Sequence, residues 1–272
     1  MLERELREAT SLAREAGRIL LELYHTDVVV DFKGRSDPVT EADKRANTYI
    51  VNGLRARFQD GVVAEETEDT SDALRKGRCW YVDPLDGTKE FLARNGEFSV
   101  MIGLAIDGRA QLGVVYQPVT DKLYRGVVGE RASLHYQGRE THLCVSELAE
   151  PSELALIMSR SHGSIHIDQL VERLAIKRTA KSGSVGLKIG QIAERKADLY
   201  VLFSDRSCAW DACAPEAVLR AAGGQLTDLA AQPLHYGGTD VRNRRGLLAC
   251  NAAAFDAVRP VVAALGSEHG LV

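Results

Sequence analysis

The chain reads as a mixed α and β protein in one compact unit, and three observations carry that reading. Apolar residues recur at helical spacing over 2–24 and 40–58, strand signals follow one another from Phe98 to Gln137, and strand and helix patterns alternate after about Pro151. An antiparallel first half fused to an alternating second half follows.

The first helix is amphipathic. Leu2, Leu6, Ala9, Ala13, Ala16, Leu20 and Leu23 are interleaved with Glu3, Arg4, Arg7, Glu8, Arg14 and Glu15, a core helix rather than a secretory signal. Thr40-Glu41-Ala42-Asp43 resembles a capping box ahead of a second helix whose apolar face is Ala46, Tyr49, Ile50, Leu54 and Phe58. Val62-Val63-Ala64 is a short strand ending in Glu65-Glu66, and an apolar run closing at Val82 is a second. Phe98 to Ile106, the Asp107-Gly108 turn, Ala110 to Tyr116, the turn from Pro118 to Asp121 and Leu123 to Val128 describe a meander that Val128 to Gln137 extends. Strand Leu154–Met158, helices Ile165–Leu174 and Ser184–Lys196, strand Leu199–Phe203, helix Asp211–Ala222 and strand Gln225–Leu229 complete the pattern. With no internal repeat and no long linker, 1–150 and 151–272 read as two halves fused into one body.

At 272 residues and 45% hydrophobic content the chain can bury a large core, so disorder is not indicated. Its apolar runs are far shorter than a bilayer span, and a net charge of −4 argues against a nucleic-acid surface. Cytoplasmic placement is the expectation, without a membrane or nucleic-acid partner. The five cysteines form no C-x-x-C pair, which disfavours a disulfide framework or a zinc cluster. Cys208 and Cys213 flank Trp210-Asp211, where a redox role stays open beside that of small buried thiols.

Chemistry concentrates in Trp80-Tyr81-Val82-Asp83-Pro84-Leu85-Asp86-Gly87-Thr88-Lys89-Glu90-Phe91. Asp83 and Asp86 lie three apart where a strand ends. Pro84 restricts the exit torsion and Gly87 permits a sharp turn, so both carboxylates can face one point. The Leu85 carbonyl adds a hard oxygen of the type Mg²⁺ accepts, and the Gly87 and Thr88 amides precede a helix-like segment suited to phosphate. By itself the D-x-x-D spacing also fits a surface turn. Glu65 arrives at the end of another strand, while Asp211 and Asp43 read equally as helix caps.

Taken together, P-V-T-E-A-D at 38–43, V-V-A-E-E at 62–66, D-P-L-D-G-T-K-E-F at 83–91 and W-D at 210–211 resemble the inositol monophosphatase superfamily of Mg²⁺-dependent, lithium-sensitive phosphatases, in order and approximate spacing over nearly the whole chain. The run from Asp83 to Leu92, followed by Arg94-Asn95-Gly96-Glu97-Phe98-Ser99-Val100, is similar to the branch that hydrolyses 3′-phosphoadenosine 5′-phosphate, the 3′(2′),5′-bisphosphate nucleotidases. Met158-Ser159-Arg160-Ser161-His162 and Gln232-Pro233-Leu234-His235-Tyr236 support that branch. Ser184-Val185-Gly186 is similar to the inositol-phosphate enzymes instead, which keeps an inositol or other sugar phosphate open as substrate. So does the absence of an Arg shortly after Leu199-Tyr200, where the nucleotidases often carry one; the nearest here is Arg206.

The resemblance implies a layered α-β-α-β-α sandwich of the inositol monophosphatase and fructose-1,6-bisphosphatase type, with the site between the halves. It implies Glu65, Asp83, the Leu85 carbonyl, Asp86 and Asp211 as ligands of two or three Mg²⁺ ions, and Asp43 with Thr88 as the pair orienting the attacking water; Glu65 counts with them among the catalytic residues. Gly87 and Thr88 would hold phosphate oxygens, and Ser161, His162, Ser184 and Lys188 would meet the rest of the substrate. A noncatalytic metal- or anion-binding regulator is the alternative from another class, and a homodimer stays open.

Overall fold

The computed structural model describes residues 2–26, 30–33, 37–67, 72–161, 165–238 and 240–272; the side chains of 30–33, 37–39 and 75 lie outside the description, as does His162. The polypeptide opens with α1 (Glu3–Tyr24), then a hairpin of β1 (Val30–Lys33) and β2 (Asp37–Thr40), then α2 (Glu41–Arg57). In α1 the small residues Ala9, Ala13 and Ala16 are fully buried, with Leu12 and Leu20 beside them. The capping box at Thr40 forms: its hydroxyl accepts from the Ala42 amide at 3.1 Å, and Asp43 accepts from the Thr40 amide at 2.8 Å. Tyr49 departs from the expected apolar face, standing 40% exposed.

A seven-stranded sheet follows, ordered β3 (Gly61–Ala64), β4 (Arg78–Asp86), β5 (Ser99–Ile106), β6 (Arg109–Gln117), β7 (Lys122–Val127), β8 (Ala132–Tyr136), β9 (Arg139–Leu143), with the short α3 (Thr88–Leu92) between β4 and β5. All neighbours are antiparallel except β3 and β4. The second half brings β10 (Ala155–Ser159), α4 (Ile165–Arg173), β11 (Arg178–Ser182), α5 (Val185–Ala193), β12 (Leu199–Leu202), α6 (Ala209–Ala221), β13 (Gly224–Thr227), β14 (Leu247–Asn251) and α7 (Phe255–Glu268). Its five-stranded sheet runs β11-β10-β12-β14-β13. β10 pairs parallel with β11 and β12, whereas β14 inserts antiparallel to both β12 and β13.

The layers follow from where each apolar face goes. α1 and α2 cover one face of the large sheet, burying Leu12, Leu20, Ile50 and Leu54 against Trp80, Val100 and Leu112. α5 and α6 lie on its other face, and α4 and α7 close the outer side of the small sheet through Leu170, Val258, Val262 and Leu265. The result is the α-β-α-β-α sandwich. Among the described residues no helix is long and apolar enough to cross a membrane.

α6 sits close against the large sheet. Gly103, Gly113 and Gly126 oppose one another across β5, β6 and β7 and form a row under the helix. A Cβ at Gly103 would lie 2.6 Å from the Ala214 amide nitrogen, one at Gly113 would overlap the Ala214 carbonyl, and one at Gly126 would lie 2.7 Å from Val218 Cα. Backbone therefore rests on backbone, and the helix start, which carries Asp211, is held at a fixed depth against the sheet.

Candidate active site

The sequence suggests a strand stopping at Val82; β4 instead runs to Asp86, with its register against β5 shifting between Asp83 and Asp86. Such a bulge admits Pro84, whose missing N–H would cost a bond in a regular ladder, and it re-aims the side chains at the strand end. Asp83 Oδ1 accepts from the Leu85 amide at 2.9 Å within the bulge. Gly87 follows at φ 100°, a left-handed conformation that favours glycine, and turns the chain into α3.

Four carboxylates from three regions share this corner. Asp83 is 2% exposed, and its carboxyl is pushed well above the usual range, first by burial and then by the charges of Glu65, Asp86 and Asp211. Glu65 is positioned directly after β3, its amide donating to the Val82 carbonyl at 3.1 Å. Asp86 is also raised by burial, against the pull of Lys188 and of its bonds from Ser184 Oγ (2.5 Å) and the Gly186 amide (2.9 Å). Asp211, in the first turn of α6, accepts from the Cys208 amide at 2.7 Å. The capping reading of Asp211 is thus observed, and the same carboxylate lies close enough to act on the charge of Asp83.

Asp43 and Thr88 join from α2 and α3. The Thr88 hydroxyl lies 3.2 Å from Asp43 Oδ1 and 3.3 Å from the Leu85 carbonyl, and Asp43 Oδ2 accepts from the Thr40 hydroxyl at 2.6 Å. Burial raises the Asp43 carboxyl although these bonds oppose it.

Next to Asp86, Ser184, at φ 55°, caps α5 by accepting from the Leu187 amide at 3.0 Å and lies 3.0 Å from Ser99 Oγ. Lys188 is the one fully buried Lys or Arg among the described residues. Its ammonium donates to the Ser184 carbonyl at 2.7 Å and sits 5.1 Å from the centre of the Tyr200 ring. Burial pushes its pKa down to about 8 despite the attraction of Asp86, Glu90, Glu97 and Asp211. Ser161 donates to Glu90. Motif reading assigned no role to Glu90, Glu97, Arg160 or Tyr200, although the first three lie inside the quoted motifs; the signal available was their placement next to residues that were assigned.

Among the described residues no three His, Cys, Asp or Glu side chains already close on one point as a metal cage. The carboxylates are within electrostatic reach of one another, but Asp83, Asp86 and Asp211 each have an oxygen turned to a protein donor. The donor set nevertheless fits a hard divalent cation: carboxylate oxygens with a nearby peptide carbonyl, Asp83 and Asp86 buried and Glu65 and Asp211 half-buried, in a mutual repulsion that added positive charge relieves.

A model of the inositol monophosphatase family matches residues 1–263. The chain belongs to the inositol monophosphatase family. Within the family it is 37% identical over 235 residues to a protein of Escherichia coli K12 named 3′(2′),5′-bisphosphate nucleotidase CysQ, covering 85% of this chain and 93% of that one. The solved structure of CysQ from Bacteroides thetaiotaomicron superposes with a TM-score of 0.78 at 29% identity, over 92% of this chain and 98% of that one. The inositol monophosphatase TM1415 of Thermotoga maritima superposes with a TM-score of 0.80 at 25% identity, over 97% and 99%. The fold of the family is the layered sandwich described above.

Proposed function

We propose that this phosphatase removes the 3′-phosphate of 3′-phosphoadenosine 5′-phosphate in a Mg²⁺-dependent reaction, giving AMP and inorganic phosphate. The carboxylate corner supports the reading: the charges of Glu65, Asp86 and Asp211 act on buried Asp83, and Thr88, two residues after Asp86, bonds to Asp43. Glu65, Asp83, the Leu85 carbonyl, Asp86 and Asp211 would hold two or three Mg²⁺ ions. When bound, such ions neutralise phosphoryl charge and acidify water.

The chain's own groups then divide the work. Thr88 donates to Asp43 and so offers its oxygen lone pairs to a water, which Asp43 and Thr88 orient for in-line attack on phosphorus. The P–O3′ bond breaks as the new P–O bond forms, and the proton released ends on the leaving 3′-oxygen or solvent. Amides of Gly87 and Thr88 hold phosphate oxygens. Lys188, with Ser184, Ser161 and, from the sequence motif, His162, would meet the remainder of the nucleotide; an ammonium of pKa about 8 stays mostly charged at neutral pH. Lithium inhibition, a cytoplasmic setting and a homodimer without nucleic-acid or membrane partners belong to the same proposal.

A second reading, an inositol or other sugar phosphate as substrate, is favoured by Ser184-Val185-Gly186 and by the likeness to the Thermotoga enzyme. Parallel kcat/KM measurements on 3′-phosphoadenosine 5′-phosphate, its 2′ isomer, inositol 1-phosphate and fructose 1,6-bisphosphate decide between them. An advantage of inositol 1-phosphate beyond about tenfold, roughly 1.4 kcal/mol of transition-state binding, would overturn the nucleotidase assignment.

A further inference from the structure

At the site end of the molecule the two sheets are stitched together by three acidic residues of one segment, Asp86, Glu90 and Glu97. Glu97 is the most heavily used. Arg160, just past β10, grips it with both arms of its guanidinium, Nε to Oε2 at 2.5 Å and Nη2 to Oε1 at 2.6 Å. The Gly183 amide donates to the same Oε2 at 2.7 Å. Arg160 is itself fixed on the small sheet: Nη2 also donates to the Lys181 carbonyl at 3.1 Å, and its amide donates to the Ser182 carbonyl at 3.1 Å. One carboxylate thus ties the ends of both β10 and β11 to the turn after α3.

Packing leaves no slack in the connection. A Cβ on Gly183 would lie 2.5 Å from the Glu97 carbonyl, and one on Gly87 would lie 3.2 Å from that same oxygen. The Glu97 main chain is therefore wedged between the turn that opens α3 and the turn that opens α5. Burial alone would raise the Glu97 carboxyl, but the bonds from Arg160 and Gly183 and the charges of Arg160 and Lys188 hold it below the usual range.

We infer that Glu97 is a positioning residue: through Arg160 and the Gly183 amide it sets where the Ser182–Lys188 turn stands relative to Asp86 and Gly87, and so where Ser184 and Lys188 meet the substrate. This rests on the phosphatase reading above. Arg160, although next to Ser161 and His162, is engaged by Glu97 and serves as the latch rather than as a phosphate ligand. Glu65, Asp83 and Asp43 stand after β3, in β4 and on α2, and none of them is a partner in the Glu97, Arg160 and Gly183 contact. Its loss should accordingly weaken substrate binding more than turnover.

The test compares the Mg²⁺-loaded wild type with Glu97→Gln, Arg160→Met, the double variant, Arg160→Lys, and Arg173→Met as a control that breaks a remote two-armed pair with Glu268. On the ester that the wild type hydrolyses fastest, each latch variant should raise KM about tenfold with kcat within about twofold, and the double variant should be no worse than the worse single one. Arg160→Lys should recover part of the loss, and Arg173→Met should match the wild type. Hydrogen exchange at amides 182–188 should quicken in Glu97→Gln while amides 79–86 keep their protection. An unchanged KM, additive single effects, or kcat falling with KM unchanged as the folded fraction drops would each overturn the inference. Should the wild type hydrolyse none of the esters, the phosphatase reading alone fails. Exchange at 182–188 then decides the latch: faster in Glu97→Gln upholds it, unaltered refutes it.

Discussion

Thr88 Oγ1 stands 3.2 Å from Asp43 Oδ1, so the first turn of α3 is tied to the first turn of α2 across 45 residues of sequence. Asp43 serves two ends at once, because its other oxygen closes the capping box on Thr40. Thr88→Val should lower kcat by about 10²-fold with little change in melting temperature, since only the hydroxyl is lost. Asp43→Ala should lose activity to a similar degree and also about 1 kcal/mol of stability through the cap. Rates and thermal melts on both variants and on the double variant separate the effects, and additive rate losses would argue against a shared water-orienting pair.

Asp83 is buried among like charges, so its carboxylate opposes folding when no cation is bound. A carboxyl whose folded pKa is raised contributes stability below its unfolded value and loses it as pH rises through the folded one. In EDTA at neutral pH Asp83→Asn should therefore melt higher than the wild type, by at least ~2 °C for a difference near 1 kcal/mol. In Mg²⁺ the order should reverse, and the variant should turn over no substrate. A lower melting point in EDTA, or undiminished wild-type activity there, would sink the metal-corner account.

Glu216 on α6 is 3% exposed and accepts from the Tyr236 hydroxyl at 2.6 Å and from Arg220 at 3.3 Å. Burial raises its carboxyl from 4.5 to about 7, opposed by those bonds. Protonation is thus favoured in the folded state: the contribution is fully present below pH 4.5 and fades as pH passes about 7. Relative to Glu216→Gln, the wild type should lose up to about 3 kcal/mol between pH 5 and 8. Urea melts at both pH values check it; parallel pH profiles would show that Tyr236 and Arg220 keep the carboxylate charged.

Gly113→Ala should destabilise the protein by more than about 3 kcal/mol, because the added carbon would overlap the Ala214 carbonyl and lie 2.8 Å from its carbon. Gly138→Ala meets no neighbouring atom and serves as the comparison for strain alone, since Gly138 has φ 72°. Denaturant midpoints on the two variants measure the difference.

Much of this fold was legible because its signals are local. The helical spacing over 2–24 and the capping box at Thr40 needed no tertiary information, and α1 and α2 fall within a residue or two of the expected spans. What stayed hidden is what depends on neighbours. β11, Arg-Thr-Ala-Lys-Ser, and β9, Arg-Glu-Thr-His-Leu, are edge strands with four of five residues exposed, so no apolar alternation marks them. β14 and α7 were not anticipated, and the antiparallel insertion of β14 is set by packing rather than by periodicity. At the site, Asp83, Asp86 and Thr88 stood out as a spaced motif, whereas Glu97 and Arg160 become meaningful only once chain segments 63 residues apart are seen to touch.

The glycine row removes mechanical play between α6 and the large sheet. Side chains between a helix and a sheet act as a compliant pad, since each can switch rotamer and let the layers slide by fractions of an ångström. Here the pad is missing along β5, β6 and β7, and α6 bears directly on the strands. The depth at which Asp211 stands over the sheet is therefore set by backbone contact at Gly103, Gly113 and Gly126, a dimension that side-chain rearrangement in the surrounding core cannot readily retune.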